Sequence, residues 1–296
     1  MKNSNIKPFL KWAGGKSQLM ESLIGNLPSD FDSFDTYIEP FIGSGAMLFK
    51  VGCQFKNIKK FVIADKNEKL VNTYLSIKYD FKNFINELEK LKNTHNSIDN
   101  IDEKRDFFLE NRAIFNSEIN EKHKQAALFI YLNKTCFNGL YRVNKKNEFN
   151  VPFGKHKNPG IYDFENLKNI HKFLKKVTIL NADYSKTEKY INGKTFFYFD
   201  PPYKPLTKTA SFNSYNFEIF SDSEQERLSD FCKKINQKKD VFWLLSNSDM
   251  KNIDIENQYF DDLYKDFNIE RVLAKRSINS KGTARGNITE LLIKNY

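Results

Sequence analysis

The sequence predicts an α/β fold: a mostly parallel seven-stranded sheet flanked by helices, finished by an antiparallel strand pair. Three observations lead there. Short apolar runs of strand length stop abruptly at acids or polar turns, as at Ile38-Glu39, Ala64-Asp65 and Phe199-Asp200. Segments of helical period separate most of these runs. The last two runs, Asn268–Ala274 and Ile288–Lys294, are joined only by the basic stretch Arg276–Gly286, which suits antiparallel neighbours.

A chain of 296 residues can bury a full core, as one large domain or as a larger domain carrying an insert. Its 40% hydrophobic and 15% aromatic content fits a folded globule. Met1–Lys7 is polar with no apolar stretch behind it, and no run approaches the roughly 20 apolar residues of a membrane span, so no signal peptide and no membrane are expected. Cys53, Cys136 and Cys232 are scattered and odd in number, which predicts a reducing compartment without disulfides. Four dispersed histidines give no metal-ligand spacing, so no metal site is expected. The formal charge is +10, and it is clustered. Glu121–Asn158 holds eight Lys/Arg against two acids, and Lys275–Gly286 holds four basic residues and no acid; the two stretches account for the whole excess. Clustered positive charge predicts a polyanion partner; the plainer alternative is a set of solvated lysines.

The elements follow in order. Lys7–Gln18, KPFLKWAGGKSQ, turns at Gly14-Gly15, and Ser17–Leu27 continues with helical spacing. The GGKS is not a phosphate-binding P-loop, because Leu10 stands where that motif needs glycine and no strand precedes it. Trp12 and Lys16 bracket the glycines as a flat ring and a cation. Strand Thr36–Ile38 runs into Glu39-Pro40-Phe41-Ile42-Gly43-Ser44-Gly45, with a helix from Ala46. The glycines allow a sharp turn and close approach of a ligand. Strand Phe61–Ala64 closes on Asp65, about twenty residues past the glycine turn, where an acid can hold ribose hydroxyls. A nucleoside-type half-site is therefore expected, without a pyrophosphate-binding GxGxxG.

Asn67–Thr135 reads as helices: a long amphipathic stretch broken near Asp80, then Phe107–Phe115 and Ala126–Leu132, with Asn93–Asp102 as a loop. Periodicity fails over Phe137–Pro159, FNGLYRVNKKNEFNVPFGKHKNP, a basic, aromatic hairpin segment with its tip at Lys145–Asn147. Such composition suits a grip on DNA, with Lys and Arg for phosphates and Asn and Arg for base edges. Strands return at Val177–Leu180, followed by Asp183, and at Thr195–Phe199. Ser221–Asn236 is a helix with a capping box from Ser221 to Glu224, and Val241–Leu245 a strand ending in Ser246-Asn247-Ser248. Thr207–Phe220 is a loop over the strand ends.

The stretch with most chemistry is TFFYFDPPY, Thr195–Tyr203. A buried strand delivers Asp200 to its carboxyl end, and Pro201 and Pro202 stop the strand and remove two N–H donors. Tyr203 adds a flat face. Acceptors beside a ring suit a planar substrate with an exocyclic amine, such as a nucleobase. Taken alone, the stretch could equally be a strand exit with a capping Asp and a surface Tyr.

KWAGGK, IEPFIGSGA, IAD, NAD and DPPY in this order resemble the Dam-type (D12 class) DNA adenine-N6 methyltransferases, over nearly the whole chain; NGLYRVNKKNEFNVPFGKHKNP resembles the segment with which members acting on GATC read DNA. The resemblance implies a Rossmann-like, S-adenosylmethionine-dependent catalytic domain at residues 1–75 and 176–296, with a helical and hairpin recognition domain at 76–175. It implies Trp12 and Lys16 as cofactor-holding residues, Glu39, Phe41 and Gly43 by the methionine moiety, Asp65 on the ribose and Asp183 near the cofactor adenine. Asp200, Pro201, Pro202 and Tyr203 would receive the target adenine, Asp200 also lying near the cofactor amino group. Asn138, Leu140 and Arg142 match DNA-touching positions, Leu140 as a wedge between bases and Arg142 as a reader of guanine. Lys155 stands where some relatives have Arg, which changes a bidentate fork into a point charge. Arg276 and Arg285 are the remaining DNA-contact candidates.

The partner implied is double-stranded DNA. A restriction endonuclease cutting the same site would be a partner without direct contact, and a monomer in the cytoplasm at a bacterial nucleoid is expected. Rivals differ at single residues. Cytosine-C5 methylation needs a Cys nucleophile, usually after Pro, and no Pro-Cys occurs; cytosine-N4 enzymes usually carry Ser where Asp200 stands; protein-glutamine enzymes favour Asn there. A DNA-binding module with a relic pocket, or another GAT-containing target, remain as alternatives.

Overall fold

The computed structural model describes residues 6–12, 14, 16–204, 220–275 and 287–296. In chain order the elements are α1 (Met20–Gly25), β1 (Thr36–Glu39), α2 (Ala46–Gln54), β2 (Lys60–Asp65), α3 (Glu68–Tyr79), α4 (Phe81–Ser97), α5 (Ile101–Asn116), α6 (Lys122–Thr135), α7 (Phe164–Leu174), β3 (Val177–Asn181), β4 (Thr195–Phe199), α8 (Asp222–Asn236), β5 (Val241–Ser248), α9 (Tyr259–Leu263), β6 (Asn268–Lys275) and β7 (Asn287–Lys294). The seven strands form one sheet in the order β3-β2-β1-β4-β5-β7-β6. The five strands β1–β5 pair in parallel, while β7 lies antiparallel between β5 and β6.

The central strands β1 and β4 are buried throughout, which is why TFFYF carries no polar alternation: a parallel strand covered on both faces is apolar on both. Successive side chains still point to opposite faces. Tyr37, Phe61, Phe196, Tyr198 and Leu292 enter one core cluster; Ile38, Val62, Phe197, Phe199 and Trp243 enter the other. The second face is covered by α8 through Leu228, Phe231 and Ile235. The first face is covered by α2 and α3, and its cluster runs on through Phe84 and Leu88 of α4, Phe108 of α5, seven consecutive residues of α6 from Ala126 to Leu132 and the hairpin residues Phe149 and Phe153. The whole β2–β3 crossover therefore packs as one body with the sheet.

Two local expectations need correction. Asn93–Asp102 is not a loop: α4 runs to Ser97 and α5 starts at Ile101. Its polar letters mislead because they do two structural jobs. His95 turns inward, with Nδ1 3.1 Å from the Tyr131 hydroxyl, and the Asn100 side chain caps α5 by accepting from the amides of Asp102 (2.7 Å) and Glu103 (3.3 Å). The helix expected over Ser17–Leu27 is shorter, a 3-10 turn at Lys16–Gln18 followed by α1. Helix α7 lies where no element was expected; Leu167, Ile170, Phe173 and Leu174 give it a buried stripe, and Asp163 caps it by accepting from Asn166 N at 3.1 Å. The break near Asp80, the Ser221 cap and the final strand pair fall as the sequence predicts. So does the hairpin tip: Val143 faces Phe149, and Asn147 takes φ 60°.

Candidate active site at the carboxyl edge of the sheet

Strands β1 and β4 are neighbours, and from them the chain proceeds outward in opposite directions. The crevice beyond their carboxyl ends is thus the topological switch point, where open α/β sheets place ligands. Glu39 ends β1 and Asp200 follows β4, so two carboxylates arrive side by side.

Lys16 is only 6% exposed, and a buried ammonium needs a partner. Its Nζ lies 2.7 Å from Asp200 Oδ1 and donates to the Gly14 carbonyl at 2.8 Å. Ser246, on β5, donates to the same Oδ1 at 3.0 Å, and its hydroxyl lies 3.1 Å from that of Tyr198. Burial raises the Asp200 carboxyl above its ordinary range, against the pull of Lys16 and Ser246. Glu39 is raised well above its ordinary range, first by burial, with nearby Asp200 adding to it; the Tyr37 hydroxyl, donating to Oε2 at 2.8 Å, and Lys16 work the other way.

Beyond the acid, Pro201 is buried and Pro202 exposed. Gln225 Nε2 of α8 donates to the Pro202 carbonyl at 3.4 Å. No hydrogen bond to the Pro201 carbonyl forms among the described residues. The Tyr203 hydroxyl donates to Glu290 Oε2 at 2.7 Å, and its ring lies under Lys16 Nζ, 4.4 Å from the ring centre.

A second group surrounds the glycine turn. Asp65 accepts from the amides of Asn67 (2.9 Å) and Gly43 (3.3 Å), and burial outweighs these bonds to raise its carboxyl. Gly43 has φ 46°, and a Cβ there would stand 3.0 Å from the Trp12 indole nitrogen, so backbone conformation and the close ring both demand glycine. Trp12 is stacked on Tyr141 of the hairpin segment, with ring centres 5.6 Å apart and planes 16° apart. Phe41 lies against Tyr184, ring centres 5.4 Å apart. Asp183 is tied up: Arg227 of α8 donates Nη1 to Oδ1 at 3.1 Å and Nη2 to Oδ2 at 2.8 Å. Burial works against the Asp183 charge, but the Arg227 and Ser185 hydrogen bonds prevail and hold it well below the usual carboxylate range.

The hairpin candidates are placed differently. Asn138 is exposed at φ 55°, Leu140 is half-buried against the core, and Lys155 is exposed at φ 54°. Arg142 spans the hairpin, donating Nε to Asn150 Oδ1 at 2.8 Å and Nη2 to the Asn150 carbonyl at 3.2 Å. This segment is joined to the first group through Asn133 at the end of α6. Its side chain accepts from Lys11 N at 2.8 Å and donates to the carbonyls of Lys11 (2.8 Å) and Gly139 (3.0 Å). Arg276 and Arg285, and most of the loop expected at Thr207–Phe220, lie outside the described residues.

Sequence reasoning missed five side chains here: Asn133, Tyr141, Arg227, Ser246 and Glu290. Ser246 lay in a motif already singled out at a strand end. Asn133 follows the apolar run Ala126–Leu132 and Glu290 precedes the apolar run Leu291–Ile293, and a polar residue at the border of such a run is the available signal. The groups of at least three His, Cys, Asp or Glu that could hold a metal ion are absent among the described residues.

A seven-stranded sheet in this order, with acids at the ends of β1, β2 and β4 around a glycine turn, defines a Rossmann-like methyltransferase. The D12 class N6 adenine-specific DNA methyltransferase model matches residues 12–278. The chain is 47% identical to the type II methyltransferase M.MjaIII of Methanocaldococcus jannaschii, across 98% of this chain and 99% of that one. It is 39% identical to the type II methyltransferase M1.LlaDCHI of Lactococcus lactis subsp. cremoris, covering 99% and 96% of the two chains, and 31% identical to the DNA adenine methylase of Haemophilus influenzae, covering 97% and 92%. The chain belongs to the D12 class of N6 adenine-specific DNA methyltransferases and is an adenine-specific DNA-methylating enzyme. Membership implies S-adenosylmethionine as methyl donor and DNA as substrate.

Proposed function

We propose that the enzyme methylates adenine N6 within GATC in double-stranded DNA, on a base rotated out of the helix into the crevice between the ends of β1 and β4. The observation that carries the reading is the one-sided engagement of Asp200. Among the described residues both of its partners, Lys16 and Ser246, bind Oδ1, leaving Oδ2 to a substrate. With the Pro201 carbonyl this makes two acceptors for the two N6 hydrogens. Adenine N6 is a poor nucleophile because its lone pair is delocalised into the ring. Drawing both hydrogens towards fixed acceptors favours a pyramidal nitrogen with its lone pair directed away from them. Tyr203 offers the stacking face, worth about 1–3 kcal/mol per base, against an unstacking cost of a few kcal/mol.

The residues present fit the methyl donor. Carboxylates outnumber cations around Lys16, as suits a sulfonium bearing an ammonium, and Asp65 is a buried carboxylate held by backbone amides beside the glycine turn. Trp12, Lys16, Glu39, Phe41, Gly43 and Asp65 would hold the donor, with Asp183 at its adenine end once Arg227 shares the carboxylate. When bound, S-adenosylmethionine supplies an electrophilic methyl whose leaving group is a neutral thioether. The chain's part is positioning and electrostatics. Residues 76–175 are read as the recognition segment, with Asn138, Leu140, Arg142 and Lys155 facing DNA together with Arg276 and Arg285. The names of the relatives from Methanocaldococcus and Lactococcus favour a role beside a nuclease of the same site.

The test is methyl transfer from labelled S-adenosylmethionine to two duplexes that differ only in carrying GATC or GTAC. Incorporation into GATC alone, at N6, is expected. Equal incorporation into both would remove the recognition role of Asn138–Arg142, and incorporation into neither would remove GATC as the target.

A further inference from the structure

Tyr203 is tied to a strand that the sequence places far from it. Glu290 lies on β7, where it stands opposite Ser248 of β5, and two residues on Leu292 stands opposite Ser246, the residue that bonds Asp200. The same part of β5 grips the chain just after the tyrosine: Ser248 Oγ donates to the Lys204 carbonyl at 2.8 Å, and the Lys204 amide reaches Asn247 Oδ1 at 3.4 Å. Asn247 in turn donates to Gln225 at 3.1 Å, and Gln225 holds the Pro202 carbonyl. Backbone anchors thus fix where the loop runs. They do not fix the two side-chain torsions of Tyr203, and a phenol ring free to turn is a poor stacking surface. Two contacts act on the side chain itself: Lys16 Nζ over the ring, 4.4 Å from its centre, which any slide of the ring within its plane tolerates, and the directional bond from the hydroxyl to Glu290 Oε2, at 2.7 Å within the range of a charge-assisted O–H···O⁻ contact.

We propose that Glu290 is a positioning residue for methyl transfer: by accepting the Tyr203 hydroxyl hydrogen it sets the plane on which the target adenine stacks beside Asp200. The inference rests on the reading of Tyr203 as the stacking face. Glu290 touches neither base nor donor in this role and acts through the tyrosine. Because β7 also pairs with β5, the carboxylate that orients the ring and the hydroxyl that orients Asp200 are carried on one hydrogen-bonded ladder. The stacking face and the acid are then held in register with each other.

The experiment is a double-mutant cycle on the full-length enzyme with Glu290→Ala, Tyr203→Phe and both together, and Glu290→Gln as the conservative variant. Tyr203→Phe keeps the stacking ring and removes only the bond. Both single variants are expected to lower kcat about tenfold, the scale of a hydrogen bond to a charged group, with KM for DNA and Kd for S-adenosylmethionine unchanged. The double variant is expected to be no slower than either single one, and Glu290→Gln to recover activity to within about threefold of wild type. Wild-type kcat in Glu290→Ala, or losses that multiply in the double variant, would overturn the proposal. If Glu290→Ala melts below the assay temperature, Tyr203→Phe decides, since it deletes the same bond without touching β7. A drop in its kcat supports the role and wild-type kcat removes it. Failure of the underlying reading looks different: Tyr203→Ala and Asp200→Ala would both retain wild-type transfer.

Discussion

Asp200 shows how one side chain is given direction by its neighbours. Lys16 and Ser246 both take Oδ1, so the carboxylate is oriented. Asp200→Ala is expected to abolish methyl transfer in the labelled-donor assay while DNA affinity in a gel-shift assay stays near wild type; parallel loss of both would mean misfolding. Burial raises the Asp200 carboxyl, so its charge is lost on acidification earlier than that of an exposed aspartate. Activity should therefore fall on the acid side, with the midpoint of log kcat above the ordinary carboxylate range. Glu39 makes the complementary case for stability. Its folded-state pKa is raised, so the folded protein holds that proton more tightly than the unfolded chain. Its contribution is fully present below the unfolded value and is lost as pH rises through the folded one. Glu39→Gln should raise Tm at neutral pH without ligand, by about 2 °C for each kcal/mol of removed burial cost, and weaken donor binding by calorimetry. An unchanged or lower Tm would count against this. Arg142→Ala should relax sequence preference by about 1–3 kcal/mol at one base pair, read as a changed ranking of single-substituted duplexes.

At the scale of elements, Asn133 does what no single strand or helix does. It is 1% exposed and, by one amide group, joins the end of α6, the Lys11 backbone and the Gly139 carbonyl. The segment with Trp12 and Lys16 is thereby fastened to the hairpin segment with Asn138, Leu140 and Arg142. Trp12 on Tyr141 reinforces the join. Asn133→Ala leaves buried backbone groups unpaired, at about 1–3 kcal/mol each, and is expected to lower Tm and weaken DNA binding more than donor binding. Equal weakening of both ligands would show that the residue serves the core alone. The sequence made most elements legible because their signals were local: a capping Ser221, the break near Asp80, the hairpin tip at Lys145–Asn147. It misread Asn93–Asp102 because His95 and Asn100 look like loop residues until a partner, Tyr131, and a helix end, α5, are present to receive them.

For the whole molecule, the basic surplus and the acidic crevice divide the work. Net positive charge concentrated in two stretches is expected to draw DNA, and its binding should weaken steeply with salt, log Kd rising linearly with log salt. Donor binding in the crevice should respond far less over the same range, so a shared slope in the two titrations would refute the division. Lys155→Ala should reduce the DNA slope by about one while leaving sequence preference intact. The β2–β3 crossover, which carries most of the recognition candidates, shares one apolar cluster with the sheet. On the proposed assignment DNA contact and chemistry belong to one packed body, and substitutions that loosen α6 should be felt at the strand ends.

What the sequence by itself determined was the chemistry and the alternation of elements: strand runs closing on Glu39, Asp65 and Asp200, the glycines between them, the DPPY exit and the clustered basic charge. These are properties of neighbouring residues, set by backbone sterics, side-chain period and functional-group type. Which partner each group meets was decided only by the tertiary structure. Lys16 meets Asp200, Arg227 takes both oxygens of Asp183, Asn133 joins two distant segments, and Glu290 holds Tyr203. The physical reason is that hydrogen bonds and ion pairs act over about 3 Å in space, across any separation along the chain. The order in which the strands lie side by side, and not their order in the chain, fixes those distances.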